Sequence, residues 1–316
     1  MGKPTTSTIK TDPYQRVTDR ILADLERGVT PWTRPWSAEA LAGRVTRPLR
    51  ATGEPYGGIN VILLWMEAVA AGYTSPSWMT YKQAQAFGGQ VRRGETGAPV
   101  VYYGTATKRA EGAGSGTGTG DMFEGEVGSE VRFLKSYTVF NVAQIDGLPD
   151  RFHAVPAEAP ALPACKRVDA AEAWFAAIGA TVEHGGTKAY YAAGTDRIQL
   201  PPFEAFRDAH GYYATRGHET VHWTSHPTRL ARSFGRERWG DEGYAREELV
   251  AELGAAFLAA DLGLALEPRE DHAAYLASWI TVLRNDRRAI VQAASHAERA
   301  VRYLHGLQPA ERREAA

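Results

Sequence analysis

The run 217–223 contains two histidines four residues apart, His218 and His222, with Glu219 next to the first of them. Because residues four apart on a helix share a face, both imidazoles can bind the same metal ion. Imidazole is a common zinc ligand, and an adjacent glutamate that does not bind the metal can take a proton from a metal-bound water. The pattern therefore predicts His218 and His222 as ligands of Zn²⁺, and Glu219 as a catalytic base. Mn²⁺ or another divalent metal is the alternative ion.

A catalytic zinc site also needs a third protein ligand and one open position. The segment 247–258 has apolar residues at helical spacing and carries Glu248 and Glu252. This resembles the glutamate-ligand zincins, in which an acidic residue four positions after the ligating glutamate orients a zinc-bound histidine. The resemblance assigns Glu248 as the third ligand and Glu252 as the orienting residue. The reverse assignment, or Glu247 as the ligand, stays open.

The same residues would also fit a surface helix with two histidines and a solvated acidic run. Glu242 and Glu247 are expected to be solvated in this way. Glu248 and Glu252, however, lie within a strongly apolar segment, where an unpaired buried carboxylate would be costly. Binding a metal removes that cost, and this favours the metal site.

The elements that must position these residues mix helices and strands. Helices are expected around the histidines and the glutamates, and two more follow at 271–283 and 286–304. Short strands are predicted at 181–183, 189–192 and 197–200, and an edge of their sheet could pair with an extended peptide substrate. We therefore expect a zincin-like α+β metallopeptidase domain over about 165–305, preceded by a Pro/Ala-rich linker at 151–164.

A smaller α+β domain is expected over 12–150. Its helices are predicted to begin at Asp12-Pro13 and to recur at 59–71 and 80–87, and two strands of one sheet are predicted at 99–103 and 137–142. The glycine-rich insertion at about 105–130 is expected to be disordered.

Several residues of this N-terminal part are suited to single-stranded nucleic acid. Arginines neutralise phosphates, and aromatic rings stack on unpaired bases. The candidates are Trp32, Trp36, Arg44, Arg47, Arg50, Tyr56, Asn60, Arg92 and Arg93. Two plainer interpretations stay open, namely tryptophans that anchor a proline-rich loop and arginines of an ordinary surface turn.

Composition limits the class of protein. The chain has 36 basic and 37 acidic residues, so no global charge indicates nucleic acid or membrane as a partner. The single cysteine, Cys165, permits no intrachain disulfide. The polar N-terminus lacks the apolar core of a signal peptide, and no apolar run is long enough to span a membrane. We expect a cytoplasmic protein with no membrane partner.

Taken together, the motifs resemble the ArdC-type antirestriction proteins of conjugative plasmids and related mobile elements. The resemblance covers nearly the full chain and is carried by segments 14–19, 31–36, 56–60, 139–142, 212–224, 248–253 and 272–279. It implies a domain that binds single-stranded DNA without sequence preference, followed by a zincin-like metallopeptidase domain. It also implies that the protein shields incoming DNA from host restriction.

Two other functions stay open. One is a regulatory zinc metalloprotease that cleaves a specific cytoplasmic protein, which makes a protein or peptide substrate a second partner to consider. The other is a DNA-binding protein whose metal is purely structural. Glu219 favours catalytic competence over the structural alternative, because a structural site needs no base.

Overall fold

The computed structural model describes residues 12–32, 46–107, 130–153, 169–235, 241–264 and 272–309. Trp36, Arg44 and Cys165 lie outside the described residues, as do most of the glycine-rich insertion and most of the predicted linker.

The N-terminal part contains three helices and six strands among the described residues. Its first helix begins where Asp12 accepts a hydrogen bond from the Tyr14 amide, with Pro13 in the first helical position, as the sequence predicts. The elements are α1 (Pro13–Glu26), β1 (Leu49–Arg50), α2 (Ile59–Ala71), β2 (Ser77–Met79), α3 (Tyr81–Ala86), β3 (Gln90–Val91), β4 (Ala98–Thr107), β5 (Glu130–Asn141) and β6 (Ile145–Asp146).

The main N-terminal sheet has the strand order β1-β2-β5-β4. Strands β1 and β2 are parallel, whereas β5 is antiparallel to both β2 and β4. The β4–β5 ladder is long, running from the pair Ala98–Val139 to the pair Thr107–Glu130. Both strands therefore extend into the predicted insertion, of which 108–129 lie outside the described residues.

Within the described chain, β4 ends this sheet. Its outward backbone groups at Val101 are bound by the side chain of Asn60 in α2. The Asn60 amide nitrogen donates to the Val101 carbonyl at 2.8 Å, and its carbonyl oxygen accepts from the Val101 N–H at 2.8 Å. One side chain thus replaces the hydrogen bonds of a further strand and fixes α2 against β4.

The C-terminal part contains five helices and a three-stranded sheet among the described residues. Its sheet has the order β7-β9-β8, with β7 parallel and β8 antiparallel to β9. The elements are α4 (Asp169–Ala177), β7 (Thr181–His184), β8 (Tyr190–Ala192), β9 (Arg197–Leu200), α5 (Ala209–Trp223), α6 (Glu242–Leu262), α7 (His272–Asn285) and α8 (Ala289–Gly306). The predicted α+β class is confirmed.

The two parts share one hydrophobic core. Trp32 packs edge-on against Trp279 of α7, and Trp65 of α2 packs edge-on against Phe257 of α6. A smaller second core lies under α3, β3 and β6. No described helix is long and apolar enough to span a bilayer.

Arg47 adds a charged contact to the shared core. Its guanidinium lies over the Phe257 ring, with 7% of the residue exposed. It forms ion pairs with Asp261 of α6 at 2.6 Å and with Glu298 of α8 at 2.7 Å. An arginine of the N-terminal part is therefore paired with the C-terminal end of α6, which carries Glu248, and with the middle of α8.

Candidate metal centre

Two packed helices position the candidate ligands. Helix α5 carries His218, Glu219 and His222, and it begins where Asp208 accepts from the Gly211 amide at 2.9 Å. Helix α6 carries the glutamates and begins where Asp241 accepts from the Tyr244 amide at 2.7 Å. Each aspartate accepts from one of the amides that the first turn of its helix leaves free, and this stabilises the start of the helix.

The helices approach closely because α6 has a glycine where they touch. A Cβ at Gly254 would lie 2.7 Å and 2.9 Å from the two methyl carbons of Val221, which lies between the two histidines on α5. Real Cβ atoms do not approach other carbons so closely, so only glycine fits this contact without a shift. The contact brings the α6 glutamates within reach of the α5 imidazoles.

His218, His222 and Glu248 converge on one point. Their nearest ligand atoms all lie within 4.8 Å of one another. The Nε2 atoms of the two histidines are 3.1 Å apart. The Glu248 carboxylate lies 3.3 Å from Nε2 of His218 and 3.5 Å from Nε2 of His222.

This spacing fits a tetrahedral metal ion. Zinc binds imidazole nitrogen and carboxylate oxygen at about 2.0–2.1 Å, which places neighbouring ligand atoms about 3.3 Å apart around a tetrahedron. The Nε2–Nε2 separation of 3.1 Å, and the separations of 3.3 Å from His218 to Oε2 of Glu248 and of 3.5 Å from His222 to Oε1 of Glu248, are close to that value. Two nitrogens and one carboxylate are also a donor set suited to Zn²⁺, with a fourth position left open.

A further glutamate lies beside the Nδ1 atom of each histidine. Nδ1 of His218 lies 3.3 Å from Glu252, and Nδ1 of His222 lies 3.1 Å from Glu247. A carboxylate only accepts, so these contacts favour a proton on each Nδ1 and leave each Nε2 as the atom that faces the metal position. Glu252 thus occupies the orienting position that the sequence proposes for it.

Glu247 lies in the same relation to His222, and this corrects the expectation that Glu247 is solvated. Its carboxylate receives two hydrogen bonds from Arg232, at 2.6 Å and 2.7 Å. The Arg232 guanidinium is buried and also donates to the Val221 carbonyl at 3.0 Å. This arginine belongs to the loop between α5 and α6, so only the tertiary fold reveals its contact with Glu247.

The charges around the site favour a cation. Burial by itself lowers the pKa of His222, but the charges and hydrogen bonds of Glu248 and Glu247 outweigh it and raise that pKa to about 10. Burial likewise opposes ionisation of Glu248, yet the neighbouring histidines hold its pKa far below the usual range. Ionised carboxylates thus attract a positive charge to the point where the ligand atoms converge.

Glu219 and Tyr244 complete the surroundings. Glu219 is buried on α5, one residue from His218. Tyr244 lies one helical turn before Glu248, and its hydroxyl is 3.0 Å from that of Tyr275. Burial, the Tyr275 hydrogen bond and the Glu248 charge all raise the pKa of Tyr244, so its hydroxyl stays protonated and can donate.

Three of the nucleic-acid candidates lie in the protein interior, which corrects the expectation that they contact bases or phosphates. Trp32 is 0% exposed, so its ring anchors the loop to the core, as the alternative interpretation has it. Arg47 is neutralised by its two carboxylates. Tyr56 is buried, with the exposed Arg50 guanidinium 5.3 Å from its ring centre.

The remaining candidates differ in accessibility. The side-chain amide of Asn60 is hydrogen-bonded to the backbone of Val101. Arg92 is half exposed and pairs with Glu95 at 2.7 Å and with Asp146 at 3.3 Å. Arg93 is exposed. Arg50, Arg92 and Arg93 are therefore the described candidates that can meet a phosphate.

Two family profiles match successive parts of the chain. The profile described as the N-terminal domain of anti-restriction factor ArdC matches residues 11–140. The profile described as a zincin-like metallopeptidase matches residues 169–296, which include all the candidate metal ligands.

Similar proteins extend over almost the whole chain. The uncharacterized protein y4eC of Sinorhizobium fredii is 41% identical over 94% of this chain and 93% of its own length. Two DNA primases TraC of Escherichia coli are 40% and 37% identical over 92% of this chain. The chain spans only 27% and 20% of the length of those two primases.

Two solved structures are also similar to this chain over almost its whole length. The metal-free antirestriction ArdC protein from the R388 plasmid superposes with a TM-score of 0.79 and is 41% identical, covering 94% of this chain and 97% of that one. The Mn(II)-bound form of the ArdC protein superposes with a TM-score of 0.76, at 39% identity, and covers 94% and 98%.

Proposed function

The chain belongs to the ArdC family of antirestriction proteins, and we propose that it binds single-stranded DNA without sequence preference and protects incoming DNA from host restriction in the cytoplasm. The observation that carries the proposal is the 41% identity to a plasmid antirestriction protein over 97% of that protein's length. The relation to two DNA primases supports DNA as the partner, because this segment also occurs within proteins that act on DNA.

We assign the two activities to different parts of the chain. Residues 12–150 would bind the single strand, residues 165–305 would hold the metal, and 151–164 would connect them. The exposed arginines Arg50, Arg92 and Arg93 would neutralise phosphates, which makes binding sensitive to salt. Because the two parts share one core, we expect them to fold as one unit even though their activities differ.

His218, His222 and Glu248 would hold the ion, with Zn²⁺ as the first choice and Mn²⁺ as the alternative that the bound form of the plasmid relative supports. When bound, such an ion lowers the pKa of a coordinated water and polarises a substrate carbonyl. Glu219 would take a proton on its carboxylate and return it to the leaving amine. Glu252 and Glu247 would keep both Nδ1 atoms protonated.

The first experiment measures DNA binding by the full chain. We would titrate labelled single-stranded and duplex oligonucleotides with the protein and follow fluorescence anisotropy at two salt concentrations. We expect preferential binding of the single strand, with an affinity that falls steeply as salt rises, because binding phosphates releases counterions. Absence of binding, or binding that ignores salt, would contradict the proposal.

A second candidate function, hydrolysis of a protein substrate, is favoured by the buried Glu219 beside a complete set of ligand candidates. It is tested separately with Glu219→Gln, which removes the base and leaves the ligands in place. We expect this variant to bind single-stranded DNA as the wild type does. Loss of DNA protection in this variant would mean instead that cleavage of a protein is the biological activity.

A further inference from the structure

We propose that unpaired bases stack on an exposed patch on one face of the β4–β5 ladder, formed by Tyr102, Lys135 and Tyr137 and here named the tyrosine face. The proposal rests on the proposed binding of single-stranded DNA and adds the surface at which it occurs. Among the aromatic candidates that the structure describes, the rings of Trp32 and Tyr56 lie in the protein interior, so neither ring provides this surface.

The register of the ladder places the three side chains together. Tyr102 is directly opposite Lys135, and Tyr137 is opposite Val100, two residues before Tyr102. Because side chains alternate between the two faces of a strand, these residues lie on the same face, with the two tyrosines on a diagonal. Diagonal neighbours in an antiparallel pair are about 7–8 Å apart, within reach of one continuous strand of nucleic acid.

Both rings are open to solvent. Tyr102 is 57% exposed and Tyr137 is 47% exposed, whereas Ala98, Val100 and Val139 on the same face of the ladder are buried. An aromatic ring left half in water forgoes much of its favourable burial, and adjacent exposed rings are a common sign of a binding surface.

Charge favours nucleic acid over other partners for this face. Lys135 lies beside the rings, and the residues at the other described positions of this face, which are 98, 100, 102, 137 and 139, carry no charge. A duplex keeps its bases stacked inside, so the ring faces can bind only bases that are unpaired. Tyrosine rings beside a lysine on a β-ribbon therefore favour a single strand.

The tyrosine face is also fixed in position before DNA binds. Asn60 binds both backbone groups of Val101, the residue next to Tyr102, and so fixes β4 against α2 at that point. A rigid platform loses little conformational freedom when a strand binds, and this increases affinity.

The test compares the double variant Tyr102→Ala/Tyr137→Ala with Tyr190→Ala in the full chain. Tyr190, on β8 in the other sheet, is 51% exposed and serves as a matched control for the loss of an exposed tyrosine. The probe is a labelled thymidine homopolymer, followed by anisotropy. We expect the double variant to lose affinity by at least tenfold, since one stacked base contributes about 1–3 kcal/mol. Tyr190→Ala should bind as the wild type does.

Two further variants separate stacking from misfolding. Tyr102→Trp/Tyr137→Trp keeps both ring faces and should restore binding to within a few-fold of the wild type. Lys135→Gln should reduce the slope of log affinity against log salt concentration by about 1, the value expected for one phosphate contact. The loss of affinity should be uniform across DNA sequences. Thermal unfolding of each variant shows whether the fold is retained.

The outcomes distinguish this proposal from the one on which it rests. If the wild type binds the probe and the double alanine variant binds equally well, the tyrosine face is not the stacking surface, although DNA binding stands. If the wild type does not bind the probe, both proposals fail. A folded double variant that loses affinity and regains it with tryptophan supports the tyrosine face.

Discussion

Both ring nitrogens of each candidate ligand histidine lie close to other side chains of the site. Nε2 faces the point of convergence, and Nδ1 faces a glutamate that in turn lies on α6. The rings therefore cannot rotate without breaking a charge-assisted contact, and the orientation that suits a metal is set before the metal arrives. Two predictions follow from this arrangement of single residues.

The first concerns Glu252. Replacing it with Gln keeps the shape but removes the charge that holds the His218 proton, so we expect metal affinity to fall about tenfold to hundredfold while one ion still binds. Isothermal titration with Zn²⁺ and with Mn²⁺ measures both quantities. Glu204→Gln, at an exposed glutamate of the turn before α5, is the control and should leave affinity unchanged. An unchanged affinity in the Glu252 variant would show that this contact does not tune the site.

The second concerns metal-linked stability. His218→Ala removes one ligand, so we expect Zn²⁺ no longer to raise the melting temperature, whereas it should raise that of the wild type by several degrees. Differential scanning calorimetry with added Zn²⁺ and with chelator measures the effect. Glu219→Gln should keep the metal-dependent rise, because that carboxylate is not a ligand. If the His218 variant is stabilised as much as the wild type, the ion binds elsewhere.

For single residues, the sequence predicts those groupings that follow from the spacing of residues on one helix. His218, Glu219 and His222 share one turn, and Glu248 and Glu252 share another, so the structure needs only to bring two helices together. Glu247 is different, because its role depends on Arg232, fifteen positions earlier and in a loop. No periodicity links those two residues, and only the folded chain places them in contact.

The helix pair α5–α6 is the element on which the centre depends, and its spacing is set at Gly254. We expect Gly254→Ala to move α5 away from α6, because its methyl group would meet both methyl carbons of Val221, a branched side chain with restricted rotation. The ligand atoms would then separate, so metal affinity should fall by at least tenfold even though no ligand has changed.

Isothermal titration and thermal unfolding of this variant separate loss of the site from loss of the fold. Gly194→Ala is the control, since a Cβ there meets no atom within 4 Å. Paired loss of affinity and stability would fit helix separation, whereas full affinity in a stable Gly254 variant would exclude it.

Most elements follow from local sequence signals. The strands β7, β8 and β9, the helix α2 and the capped start of α1 lie where period and capping residues predict them. The loop before residue 60 is different, because arginines and aromatics give the same local pattern whether they face a ligand or the interior. Whether Arg47 meets a phosphate or a carboxylate depends on Asp261 and Glu298, more than 200 residues away.

For the whole molecule, the shared core and the Arg47 ion pairs join the two parts. Replacing Arg47 with Met would leave the Asp261 and Glu298 carboxylates near each other without their cation. We expect the free energy of unfolding to fall by about 3 kcal/mol, and a single unfolding transition to remain. Urea denaturation followed by fluorescence measures both quantities.

Arg93→Met is the matched control, because the exposed Arg93 should change stability by less than about 0.5 kcal/mol. Two separate transitions in the wild type would contradict a shared core. The sequence could not indicate this coupling, since a proline-rich stretch and a change of composition are also what separates independent domains.

The hydrogen bonds of Asn60 to Val101 have a consequence for how copies of the chain meet. A strand at the end of a sheet presents free N–H and C=O groups, and a strand from another molecule can pair with them and start an aggregate. At Val101 both groups are already bound by Asn60. Asn60 thus leaves no free backbone group at Val101 for a strand of another molecule, and this opposes edge-to-edge pairing of copies of the chain at that point of β4.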